Sequence, residues 1–213
     1  PRLSDAIPPQ LDRLGLPSEA YDAVVTSGDA TKKTVQNYAG QPGYRIGPDK
    51  DDNMFSSTGM TFVPLEDASF ILCTGLVDDL NETPEDYRDL LKKASDRALP
   101  MICANPDRIV KFGDRIMYCA GALADLYEEL GGQTIFCGKP HAPIYDACRA
   151  VLQDAGCSSS RILAVGDGLQ TDILGANQQN IDVAFVAEGI FAEEARGPTG
   201  RIDPHMLGKL LDN

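Results

Sequence analysis

Residues 161–177 read RILAVGDGLQTDILGAN: the apolar run Ile162–Val165, then Gly166-Asp167-Gly168, then Asp172 five residues after Asp167. A short run of this kind ending in Gly-Asp reads as a buried parallel strand. It delivers Asp167 to the carboxyl edge of a sheet, where open α/β folds place their ligands. Thr171-Asp172 then falls in the first turn of the following helix, whose N-terminal amides favour negative charge. Two carboxylates this close repel unless positive charge stands between or beside them, and a hard, oxygen-seeking cation such as Mg²⁺ suits them. Taken alone, the same pair also fits a turn aspartate followed by a helix-start acid.

Upstream, the apolar run Thr134–Cys137 leads directly into Gly138-Lys139-Pro140. A lysine fixed between Gly and Pro at the end of a buried strand is placed to neutralise an anion, either phosphate oxygens or a neighbouring carboxylate. In isolation it equally fits a loop lysine whose stem snorkels along apolar surface.

Further out, short Val/Ile-rich runs alternate with amphipathic segments, the pattern of an α/β protein with a mainly parallel sheet. Strands are predicted at Ala23–Thr26, Phe70–Cys73, Met101–Cys103, Thr134–Cys137, Ile162–Val165 and Val183–Val186. Helices are predicted at Ser4–Leu14 with a Ser4 cap, at Thr83–Arg97 with Pro84 in the first turn, at Ala120–Leu130 before Gly131-Gly132, and at Pro143–Ala155 before Gly156. The Gly-, Pro- and Asp-rich stretch Asn37–Ser57 reads as a crossover between two lobes. The expected organisation is a core lobe built from residues 1–43 and 133–213, with a second lobe inserted at 44–132.

The 213 residues carry 19 basic and 32 acidic side chains, a net charge of −13, which argues against a nucleic-acid binder working through a broad basic face. At 43% hydrophobic residues the chain can bury a core. It holds neither a run of roughly 20 apolar residues nor a basic-then-apolar leader, so no membrane partner is expected. Six cysteines without a CxxC pair offer no zinc ligand set, and several sit inside apolar runs, which suits a reducing, cytoplasmic setting. The first residue is Pro1 rather than Met.

Together, strand-Gly-Lys-Pro followed after a helix by strand-Gly-Asp-x-x-x-x-Asp resembles the last two signature motifs of the haloacid-dehalogenase-like phosphatase superfamily. YDAVVTSGDAT, FILCTGL, MICANPDRIV, YCAGALADLYEELGG, GKPHAPIY and VGDGLQTDILGA resemble successive landmarks of its class IIA branch. The resemblance implies a Rossmann-like parallel core with an inserted α/β cap of C2 type. It further implies Mg²⁺-dependent hydrolysis of a small phosphorylated metabolite through an aspartyl-phosphate. Lys139 is then the catalytic lysine that quiets nucleophile and phosphate charge. Asp167 and Asp172 form the metal side, Asp167 as ligand and Asp172 as the partner orienting the metal or its waters. Such chemistry needs positioning and charge neutralisation more than covalent machinery.

The chain departs from the pattern at one point. The family's D-x-D nucleophile and its Ser/Thr motif have no counterpart; both are expected to precede Pro1, leaving a fragment inactive by itself. Asp49-Lys50-Asp51 is the only loose D-x-D, and with no apolar strand feeding it, it reads as a solvated loop. It is not an EF-hand, because Met54 and Met60 stand where Gly and Glu are required. Ser27 follows a predicted strand but matches the strand after the missing motif.

In the insert, Ala104-Asn105-Pro106-Asp107 resembles the cap loop that leans over the active site, making Asn105 and Asp107 the candidates for substrate contacts; an Asx turn is the competing explanation. Gly121 suggests close helix packing, and His141 a loop-orienting role. Exposed apolar cap surface is compatible with a homodimer. A scaffold that binds without catalysing is the alternative to an enzyme, and a cation-pump phosphorylation domain fits less well in a chain without a membrane segment.

Overall fold

A computed structural model describes residues 1–112, 115–157 and 161–211. Its centre is a four-stranded parallel sheet of β1 (Gly43–Ile46), β2 (Phe70–Cys73), β3 (Pro100–Cys103) and β6 (Gln133–Phe136), ordered β1-β2-β3-β6. The register pairs Ile71 with Met101, Cys73 with Cys103 and Ile102 with Ile135. Side chains of a strand point alternately to the two faces, and every residue of β2 is buried, so both faces must be covered.

One face carries Ile71, Cys73, Met101 and Cys103 into a cluster with Leu91 and Ala94 of α3 (Arg88–Asp96) and Leu123, Ala124 and Tyr127 of α4 (Ala120–Glu129). The other carries Phe70, Leu72 and Ile102 against Ala30 and Val35 of α2 (Ser27–Gln36) and Ile144 and Ala147 of α5 (Ala142–Asp154). The result is an α/β/α sandwich, in agreement with the α/β class and parallel sheet read from the sequence. Burying each large aliphatic side chain here stabilises by about 1.5–3 kcal/mol.

The strands at 70–73, near 100–103 and near 133–136 stand where the apolar runs predict them, and so do α4 and α5. Other elements differ. The segment Ala23–Thr26 has no regular secondary structure and joins no ladder among the described residues, because no strand lies beside it. The predicted helix 4–14 is a 3₁₀ turn, Ser4–Ala6, and then α1 (Pro8–Arg13), interrupted where Pro8 and Pro9 withhold their donors. Ser4 caps nothing; its hydroxyl donates to Asp29 at 3.1 Å. The helix predicted from residue 83 opens as a 3₁₀ turn, Pro84–Tyr87, behind a Thr83–Asp86 capping box.

The stretch expected to be a crossover contains β1, whose Arg45 pairs with Asp49 at 3.5 Å and with Asp52. Its Asp49–Met54 segment is a 3₁₀ helix rather than a solvated loop, and Asp51 is only 7% exposed. An antiparallel hairpin, β4 (Ile109–Phe112) and β5 (Arg115–Tyr118), also escaped the sequence reading. The four-stranded sheet runs past residue 132 to include β6, and α2 and α5, taken as core helices, cover its face.

The C-terminal part pairs β7 (Leu163–Gly166) with β8 (Asp182–Phe185), parallel, flanked by α6 (Leu174–Gln178), α7 (Ala192–Ala195) and α8 (Pro204–Leu211). Leu163 and Val165 remain 61% and 64% exposed, and β7 has no second neighbour among the described residues. This part docks through α5: Tyr145 packs against Gly175 of α6, and Arg149 donates to Gln179 Oε1 at 2.9 Å. No described helix is long and apolar enough to cross a membrane.

Candidate active site

β6 ends at Phe136, and Gly138 carries the chain to Lys139. A side chain at 138 would not fit: a methyl there would lie 2.5 Å from Pro106 Cδ. Lys139 is thereby seated beside the loop that follows β3. From the other side, β7 ends at Gly166 and a wide π-helical turn, Leu169–Ile173, brings Asp172 back toward the strand end.

The two meet. Lys139 Nζ donates to Asp172 Oδ1 at 2.5 Å, across 33 residues of sequence. Asp172 Oδ2 accepts from the Gly168 amide at 3.0 Å. Burial alone would push the Asp172 carboxyl upward. The Lys139 hydrogen bond, the Gly168 amide, the lysine charge and the Asp167 amide outweigh it, so the group sits below the usual carboxylate range. Its side chain is 15% exposed and that of Lys139 50%, so the ammonium retains a solvent-facing side.

Asp167 is held differently. Its Oδ2 accepts from the Ile190 amide at 3.0 Å, and Oδ1 takes no hydrogen bond among the described residues. No group of three potential metal ligands occurs among the described residues. The donors present are one partly free carboxylate at 167 and a second, at 172, both of whose oxygens are engaged. By donor chemistry such a set is no all-protein cage, and a Mg²⁺ ion held there would need phosphate oxygens and water to complete its shell.

Asn105 and Asp107 are separated in role. Asn105 lines a cavity at the sheet's carboxyl edge, whereas Asp107 is exposed and lies outside that lining. Asn105 Oδ1 accepts from the Asp107 amide at 3.4 Å, the Asx geometry weighed above as the competing explanation. The Asp107 carbonyl accepts from the Gly121 amide at 3.0 Å, and a methyl on Gly121 would collide with the Pro106 and Asp107 carbonyls, so Gly121 does serve close packing. His141 stacks on Phe136, with ring centroids 4.5 Å apart, and burial followed by the Arg108 charge lowers its pKa. Ser27 begins α2, which is capped by the reciprocal Thr26–Asp29 box.

The sequence reading missed polar residues that share the cavity with Asn105, among them Lys50, Asp51, Thr74 and Asp79, beside Arg2, Asp5 and Thr26 from the N-terminal stretch. The available signal was position: Gly47-Pro48 and Thr74-Gly75 each follow a strand at the same edge as Asn105.

Comparison with known proteins follows the same lines. A family model described as "HAD-hyrolase-like" matches residues 136–210. A hydrolase of the haloacid dehalogenase-like family from Brucella suis 1330 is 41% identical, with a TM-score of 0.77, covering 96% of this chain and 78% of its own. A p-nitrophenyl phosphatase from Archaeoglobus fulgidus is 18% identical at a TM-score of 0.67, over 90% of this chain and 74% of its own. A glycerol phosphate phosphatase from Mycobacterium tuberculosis, in complex with calcium, is 20% identical at 0.66, over 89% of this chain and 55% of its own. The last two likenesses bear on the fold alone. A search of curated proteins returns no match. With a relative this similar over nearly the whole of the 213 residues, the chain belongs to the haloacid dehalogenase-like family.

Proposed function

We propose that the protein is a phosphomonoester hydrolase acting on a small phosphorylated metabolite. The observation that carries this is the Lys139–Asp172 pair, an ammonium held by a carboxylate with one side left open. Relatives titled as a hydrolase of this family and as nitrophenyl and glycerol phosphate phosphatases support it.

In this reading Lys139 neutralises the equatorial oxygens of the phosphoryl group, and Asp172 fixes the direction from which it does so. The Gly168 amide holds Asp172 in turn. Asp167 would hold Mg²⁺, which when bound supplies additional charge neutralisation at the phosphate. Among the described residues no further carboxylate is hydrogen-bonded to Lys139. No second aspartate is thereby marked as the nucleophile of an aspartyl-phosphate route, so on this reading the 213-residue chain alone is expected to turn over little or nothing. That observation also favours a second reading, a scaffold that binds phosphate esters without hydrolysing them.

The expected partner is a small metabolite rather than nucleic acid or membrane, in keeping with the net charge of −13. Six free cysteines agree with a cytoplasmic setting. The exposed apolar hairpin residues Ile109 and Ile116 suit a homodimer.

The test is phosphate release from p-nitrophenyl phosphate and a panel of alkyl phosphates by the complete protein, with and without Mg²⁺. Metal-dependent release that falls at least about a hundredfold in Lys139→Ala supports the enzyme. Phosphate binding abolished by the same variant, without turnover in any condition, supports the scaffold.

A further inference from the structure

A cavity of about 500 Å³ lies at the amino ends of β7 and β8, opposite the end from which Asp167 emerges. Its volume falls within the range of small-molecule sites. Arg149 enters it from α5 and Arg161 from the residues just before β7. Gln179 and Asn180 come from the turn after α6, and Asp182 opens β8.

The two arginines are held differently. Arg149 donates to Asp146 Oδ1 at 3.1 Å and to Gln179 Oε1 at 2.9 Å, so its guanidinium is fixed in direction, while its Nε donor has no partner among the described residues. Arg161 makes no hydrogen bond or ion pair among the described residues. Carboxylates are not scarce: the chain has 32 acidic side chains, and Arg45, Arg88, Arg108 and Arg196 are each taken by one. The Asp182 carboxylate and the Asn180 side-chain amide in the same wall are likewise without partners among the described residues. Guanidinium forks match oxyanions, and two of them at one cavity favour a doubly charged one. A carboxylate in the same wall repels that anion unless the ligand also presents a donor to it.

We propose that this cavity binds a doubly charged oxyanion bearing hydroxyl groups, a phosphate ester or a dicarboxylate. The charge lies between Arg149 and Arg161, the Asn180 amide adds a donor to it, and a ligand hydroxyl donates to Asp182. The site is separate from the Lys139–Asp172 pair and stands whether or not the phosphomonoesterase reading does.

Calorimetric titration of Lys139→Ala, in which the other anion site is disabled, with glucose 6-phosphate, malate and sulfate tests this. At least one of the two hydroxylated anions should bind about tenfold or more tightly than sulfate, and which of them does so distinguishes phosphate from carboxylate as the charged group. In the same background, Arg161→Gln should weaken that binding at least about tenfold, and Arg161→Lys, which keeps the charge and loses the fork, should recover only part of it. Asp182→Asn should tighten sulfate and narrow the preference for the hydroxylated anion several-fold, because the repulsion is gone. Melting curves confirm that each variant is folded. No binding of any of the three anions, binding that Arg161→Gln leaves unchanged, or sulfate bound as tightly as both hydroxylated anions overturns the proposal.

Discussion

Lys139 was legible because it follows an apolar run that ends a strand, and Asp172 because of its spacing from Asp167, although it lies in the turn beyond the strand end. What the sequence withheld was their contact, which joins residues 33 apart. Asp51 was illegible for the opposite reason: its neighbours Asp49, Lys50 and Asp52 are polar, and its burial comes from tertiary cover that no local pattern announces. On the proposed reading, in which Asp172 orients the ammonium, Asp172→Asn should weaken inorganic phosphate binding less than Lys139→Ala does, about tenfold, as titration calorimetry would read. At Cys73, burial pushes the thiol up to about 12, against a weaker downward pull from a hydrogen bond with the Gly75 backbone. Native-state alkylation at pH 8 should therefore mark the exposed Cys157 and spare Cys73, Cys103 and Cys137, read by peptide mass spectrometry. Burial also keeps His141 neutral below the ordinary imidazole value of 6.5. The unfolded chain then takes up this proton first, so stability is retained above that value and declines as pH falls through it toward the folded-state pKa. Replacing His141 with Phe should flatten that decline in melts recorded from pH 7 to pH 5.

At the level of elements, apolar runs located strands but not their partners. β2 was read because all four of its residues are apolar, the mark of a strand covered on both faces. β1 was passed over because an edge strand reading Gly-Tyr-Arg-Ile has one neighbour and carries a charge, and β4–β5 because Lys111 and Arg115 break their apolar pattern. The segment at 23–26 shows the converse, since an apolar run with nothing beside it forms no ladder. The loop after β3 is fixed by two close approaches, Gly121 to the 106 and 107 carbonyls and Gly138 to Pro106. Gly121→Ala should cost about 1–3 kcal/mol in denaturant unfolding, as overpacking does. Tyr127→Phe, which removes the donor to the Leu99 carbonyl, should cost about 1 kcal/mol.

Over the whole molecule, the covered four-stranded sheet contrasts with the open β7–β8 pair. Leu163 and Val165 present apolar side chains on a strand whose other edge is unpaired among the described residues, a combination that invites association. Leu163→Lys with Val165→Lys should shift light-scattering masses of the 213-residue chain toward the monomer without changing its far-ultraviolet circular dichroism. The two assemblies meet on α5, whose Ile144 and Ala147 lie against the sheet while Tyr145 and Arg149 grip the segment around α6. Lys139 sits just before α5 and Asp172 just before α6. Both halves of the electrostatic clamp therefore hang from one helix, so a substitution that displaces it is expected to carry ammonium and carboxylate along together.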